Sequence, residues 1–167
     1  MMPVPRLMMF VTGLFLVCLP IVSMAQGAQV AFGSSQQDRN LPVEVTADNL
    51  NVNQNDGTAT FTGNVVIGQG EMRLTAPRVL VVYLAGQTGI ESLEATGGVT
   101  LVSGSDAAEG ERADYNITTG IIEMHGDVLL VQGDNAITGE TLFVDTNAGT
   151  ARVSGRVKTV LQPQARQ

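Results

Sequence analysis

The chain has 167 residues, with nine Lys and Arg against sixteen Asp and Glu, a net charge of −7, one cysteine and one histidine. One histidine excludes a histidine-cluster metal site and a two-histidine zinc-protease motif, and one cysteine excludes a disulfide framework. An acidic chain without a basic cluster excludes a nucleic-acid partner, and no resident metal or cofactor is expected.

Residues 1–25 read as a cleaved leader. Arg6 supplies the charge of the n-region, Leu7 to Leu19 form an apolar run, and Ser23-Met24-Ala25 places small residues at a signal-peptidase site before Gln26. A retained anchor is the alternative. The run is about thirteen residues, short of the roughly twenty needed to span a bilayer, and Pro20 interrupts it. A lipoprotein site at Cys18 needs a small residue before it, and Val17 stands there. Cleavage after Ala25 removes Arg6 and Cys18, leaving no cysteine, eight basic and sixteen acidic side chains, and a net charge of −8. Such a chain is long enough for one domain with its own core.

Residues 26–40 carry no sustained apolar periodicity and read as a polar lead-in; residues 162–167 read as a short loose tail. The ordered domain is then residues 41–161. No window there places apolar residues at i, i+3, i+4 and i+7 over three turns. Short alternating stretches separated by Gly, Asn, Asp and Thr predict strands and turns instead.

An internal repeat organises the domain. A Gly-x-Val step recurs at Gly63, Gly97, Gly126 and Gly155, at intervals of 34, 29 and 29 residues. In the first three copies another glycine follows seven residues later, at Gly70, Gly104 and Gly133. Turn sequences precede each step: Asn55-Asp56-Gly57, Gly86-Gln87-Thr88-Gly89, Thr118-Thr119-Gly120 and Asn147-Ala148-Gly149. Each unit is too small to bury its own apolar face, so the copies must stack. Period-two alternation groups Val65 with Ile67, Val99 with Leu101 and Val128 with Leu130 on one face, together with Val43, Val45 and Phe61. Thr46 and Thr100 fall on the other. The glycine before each pair lets a strand bend sharply, which curves the sheet over itself. The expectation is an all-β, antiparallel jelly-roll or open V-shaped β-solenoid of about 14 to 16 short strands.

Val45-Thr46-Ala47-Asp48-Asn49-Leu50, Ala59-Thr60-Phe61-Thr62-Gly63-Asn64-Val65, Gln69-Gly70, Ala113-Asp114-Tyr115 and Leu129-Leu130-Val131-Gln132-Gly133 together resemble the OstA-like family of lipopolysaccharide-transport proteins. The likeness covers about residues 41–161, and its most specific element is Phe61-Thr62-Gly63-Asn64-Val65 followed by Gln69-Gly70. The resemblance implies a periplasmic β-jelly-roll that cradles the acyl chains of lipid A. It also implies end-to-end joining with related jelly-roll domains of inner-membrane and outer-membrane components, or with copies of itself. Where that family often has Ala-Asp, this chain has Ala76-Pro77, and a proline cannot donate to a ladder, so that strand is expected on an edge. The tail after Leu161 is brief and not lysine-rich.

On that resemblance the lipid-contacting residues are Val43, Val45, Phe61, Val65, Ile67, Leu101, Tyr115, Ile117, Val128 and Leu130, with Tyr115 at the rim, ring inward and hydroxyl outward. Ordinary core packing is the competing reading of each. An open solenoid leaves unpaired edges; Val43 and Val45 at one end, and Val157, Thr159 and Leu161 at the other, are the candidates for pairing with a neighbour. Arg152, Arg156 and Lys158 could instead blunt that edge.

Catalytic chemistry is not expected. His125 precedes Gly126 at a bend and reads as a solvated turn residue, Gly68-Gln69-Gly70 reads as a turn, and Glu109, Glu111 and Asp114 read as a solvated face. No phosphate-binding loop occurs, so energy for directional transport must come from a partner. The competing classes are a structural or adhesive solenoid with a sealed core and a polysaccharide-processing enzyme on a solenoid scaffold.

Overall fold

The computed structural model describes residues 28–33, 41–86 and 89–162. The leader with its cleavage point after Ala25, most of the lead-in, and the tail beyond residue 162 lie outside the described residues. The alternation of apolar and polar side chains produces eleven antiparallel strands and no helix among them. These are β1 (Ala28–Ala31), β2 (Glu44–Thr46), β3 (Asn49–Asn53), β4 (Thr58–Gln69), β5 (Met72–Tyr83), β6 (Ile90–Ser103), β7 (Asp106–Asn116), β8 (Ile121–Gln132), β9 (Asn135–Asp145), β10 (Thr150–Ser154) and β11 (Lys158–Val160). Strands β4 to β9 pair in simple succession; β2 and β3 both pair with β4, β10 and β11 both pair with β9, and β1 pairs with β10. Within the segment read as a polar lead-in, Ala28–Ala31 therefore form a strand.

A crease divides the sheet. The ladder slips between Thr62 and Val65, Thr75 and Arg78, Thr96 and Val99, Glu109 and Arg112, and His125 and Val128, one such slip at the crease on each pairing from β4/β5 to β8/β9, with a second irregularity on β5/β6 between Val82 and Tyr83. These slips fall at the Gly-x-Val steps and at their partners, and both residues of each step have positive φ: 79° and 44° at Gly63-Asn64, 95° and 95° at Gly97-Gly98, 82° and 43° at Gly126-Asp127, and 76° and 43° at Gly155-Arg156. An extra residue in that conformation bends a strand and increases its twist. The long strands thus cross from one layer to the other, whereas β2 with β3, and β10 with β11, are broken outright at the same crease. Eight passes of two segments each give the sixteen short segments at the top of the expected range, with β1 in addition.

The first layer runs β3, then the crease-to-loop halves of β4 to β9, then β10 and β1; the second runs β2, the other halves of β4 to β9, and β11. Two-residue turns at Gly70-Glu71, Gly104-Ser105 and Gly133-Asp134 close the rim of the second layer, each opened by a glycine at positive φ as a tight hairpin requires. Between the layers lies one apolar cluster, reaching from Val65, Ile67 and Leu74 through Leu101 and Tyr115 to Leu130, Leu142 and Val153.

Pro77 is not on an edge strand. β5 lies between β4 and β6, and Pro77 occupies the ladder slip, where neither neighbour pairs with it. The bulge meets the need that an edge position was expected to meet.

Candidate functional site

The ten residues expected to contact lipid come together on the inner faces of the two layers. Val65, Ile67, Leu101, Tyr115, Val128 and Leu130 are fully buried, and Val43, Val45, Phe61 and Ile117 are half-buried against them. Antiparallel partners share a face, so the pairing of Val45 with Ile67, Leu50 with Phe61, and Thr159 with Ile137 carries this inner surface out to both ends of the sheet. There it emerges into solvent: Leu50 and Val52 are each 56% exposed on β3, and Leu161 is 69% exposed just after β11. Val157 and Thr159 are exposed beside it, so all five residues expected at the edges flank terminal strands. Arg152 stacks over Phe143 at 5.0 Å and Arg156 bonds Glu140 at 2.7 Å, which engages two of the three charges expected to blunt that edge.

Tyr115 is placed differently from expectation. It is 1% exposed, and its hydroxyl donates to Gln69 Oε1 at 2.8 Å inside the protein rather than pointing to water. Tyr115 lies in the first layer and Gln69 in the second, so this bond ties the layers together. Gln69 Nε2 in turn donates to the Leu41 carbonyl at 3.1 Å. Gly68 and Gln69, expected in a turn, are the last residues of β4; the turn is Gly70-Glu71.

Gln69 belongs to a polar row that reading for apolar lining overlooked. Gln69, Ser103 and Gln132 each precede the second glycine of a repeat, face inward, and end a strand at the rim of the second layer. Asp106 pairs with both Ser103 and Gln132. A polar residue recurring one position before Gly70, Gly104 and Gly133 was the signal that could have found it.

The outer face carries charge. Register aligns Glu94, Asp114 and Glu123 on neighbouring strands. Arg112 reaches Asp114 at 2.8 Å and Glu94 at 3.3 Å, and its pKa is raised first by the hydrogen bond and charge of Asp114, with Glu94 adding to them. His125 is a strand residue of β8 rather than a turn residue, 3.3 Å from Glu123. These groups are solvated, where ion pairs contribute little. Among the described residues no set of three His, Cys, Asp or Glu side chains is placed to hold a metal ion.

Two antiparallel layers creased from one sheet, enclosing an apolar interior that runs out at both ends, define a β-jelly-roll. The profile of the family described as LptA/(LptD N-terminal domain) LPS transport protein matches residues 44–150. The chain belongs to that family. It is 31% identical over 167 residues to an uncharacterised protein of Rhizobium meliloti strain 1021, covering 93% of this chain and 90% of the relative. The lipopolysaccharide export system protein LptA of Escherichia coli K12 is 27% identical over 90 residues, covering 54% of this chain and 49% of that protein. In fold, the chain is similar to LptH, the LptA-homologous periplasmic component of the lipopolysaccharide transport device of Pseudomonas aeruginosa, with a TM-score of 0.68, 22% identity, and coverage of 76% of this chain and 99% of the other.

Proposed function

We propose that the protein is a periplasmic, non-enzymatic carrier that shields the acyl chains of lipopolysaccharide between its two layers and bridges the inner and outer membranes by joining related domains end to end. The observation that carries this reading is the continuous apolar inner surface, open to solvent at β3 and at β11, in a member of a lipopolysaccharide-transport family. Each CH₂ kept from water is worth about 0.8 kcal/mol, so one twelve-carbon chain represents about 10 kcal/mol that a passive groove supplies without chemistry. The sugar and phosphate part stays in water. The leader is cleaved after Ala25, and the energy of transport comes from a partner.

A specific observation favours a second reading. Six of the ten lining residues are fully buried, and Tyr115 bonds across the layers, as in a sealed structural solenoid. A photo-crosslinking residue at Val45, Phe61 or Leu101 in living cells, with Thr46 and Thr100 as outward controls, separates the two. Lipopolysaccharide adducts at the inward positions alone are expected. Silence at all five in exported, folded protein sinks the carrier and leaves the sealed solenoid.

A further inference from the structure

The bonds made by residues 28–33 carry a further inference, which rests on reading the interior as a lipid groove. β1 lies in the first layer, with Val30 opposite Ala151 of β10. The chain then leaves that layer. The Phe32 N–H donates to the Gly149 carbonyl at 2.9 Å, and the Phe32 side chain is 4% exposed within the apolar cluster. The Gly33 N–H donates to the Asp106 carboxylate at 2.9 Å, and Gln132 Nε2 donates to that carboxylate at 3.0 Å and to the Ala31 carbonyl. Asp106 and Gln132 belong to the rim of the second layer. Six residues therefore fasten one layer to the other across the open side of the crease.

Gly33 makes so close an approach without strain. Its φ is +77°, and a Cβ there would lie 2.6 Å from Ser103 Oγ. The fastening rests on a few polar bonds at the rim, two of them accepted by the Asp106 carboxylate. Phe32 fills interior space of the kind an acyl chain needs. β1 also covers the terminal edge of the first layer at β10, while β11, the terminal strand of the second layer at the same end, has no further strand beside it among the described residues. A neighbouring domain that continued both layers meets β1 in its way.

We propose that residues 28–33 form a strap that holds the groove shut, and that an entering acyl chain displaces it, baring the β10 edge for the next domain. The strap is a competitor for the interior, so apparent affinity scales with the fraction of molecules in which it is released.

The test pins the strap. A Cβ at position 33 lies 3.3 Å from Ser103 Cβ, close to the separation a disulfide spans, and G33C with S103C supplies the only cysteines of the exported chain; the left-handed strain at position 33 is common to the oxidised and reduced forms, so their comparison reads the crosslink alone. Two probes are used: purified lipopolysaccharide, captured by a photo-crosslinker at Phe61, and anilinonaphthalene sulfonate, an apolar fluorophore. The oxidised form is expected to take up both at least about tenfold less than the same protein after reduction. F32A with D106N, which loosens the strap without new cysteines, is expected to take up more than wild type. Equal uptake by oxidised and reduced forms, no gain from F32A/D106N, or no entry of either probe into the unlocked protein each overturns the strap. If lipopolysaccharide is silent throughout while the fluorophore still distinguishes locked from unlocked protein, the strap stands and the lipopolysaccharide reading falls.

Discussion

At the scale of single residues, the buried polar contacts are more informative than the apolar ones. A closed apolar interior needs no hydroxyl, yet Tyr115 places one against Gln69 at 2.8 Å with both residues 1% exposed. A satisfied buried hydrogen bond contributes about 1 kcal/mol, and removing one partner costs about 1–3 kcal/mol. Tyr115→Phe keeps the ring and deletes only the hydroxyl, so urea denaturation should show a loss of about 1–2 kcal/mol. If the interior opens to ligand as proposed, the same substitution should raise fluorophore uptake, because the bond joins the two layers. Lower stability with unchanged uptake would make the bond a core fixture with no part in opening. Glycine at the crease makes a second residue-scale case. At Gly126, φ is +82° and a Cβ would lie 2.6 Å from Glu111 Cγ. Gly126→Ala should therefore cost about 2–4 kcal/mol, combining left-handed strain with overpacking. Adding Glu111→Ala removes the Cγ and carboxylate contacts but leaves a Cβ 2.7 Å away as well as the strain, so the double variant should recover only part of the loss, about 1 kcal/mol, in the same urea titration.

At the scale of elements, the repeat and the alternation made the strands and their inner faces legible in the sequence. Val65, Ile67, Leu101, Val128 and Leu130 fall inside because period two leaves them no other face once the glycine steps fix the register. What the sequence left hidden was decided by contacts far apart in the chain. Tyr115 is 46 residues from Gln69, and nothing local distinguishes a rim tyrosine from a bonded one. Pro77 read as an edge marker because an unpaired N–H position is usually at an edge; here the crease supplies one inside the sheet. Residues 28–31 read as lead-in because a four-residue strand has too few alternations to register, and its partner β10 lies more than a hundred residues away. The acidic row Glu94, Asp114 and Glu123 likewise needs the register of three strands before it can be seen.

At the scale of the whole molecule, the energetic question is what opening costs. If acyl chains replace the opposite layer as the neighbour of each lining residue, the apolar area removed from water changes little, so the hydrophobic term of about 25 cal/mol per Å² nearly cancels. The barrier then resides in the bonds of the rim, where the repeat places its second glycines, and in the bending of the crease, where it places its first. The ends obey a different rule, because a strand edge must be covered or extended. β11 is three residues long, with Thr159 facing inward opposite Ile137. Successive N–H groups along a strand point to opposite sides, so of Thr159 and Val160 one donates toward β9 and the other outward to a neighbour. Proline placed at each in turn should therefore give unequal results: one variant should lose stability in urea, and the other should keep it while losing head-to-tail association by analytical ultracentrifugation. If both variants associate as wild type does, β11 is not the joining edge, and the groove ends where the chain ends rather than passing into the next domain.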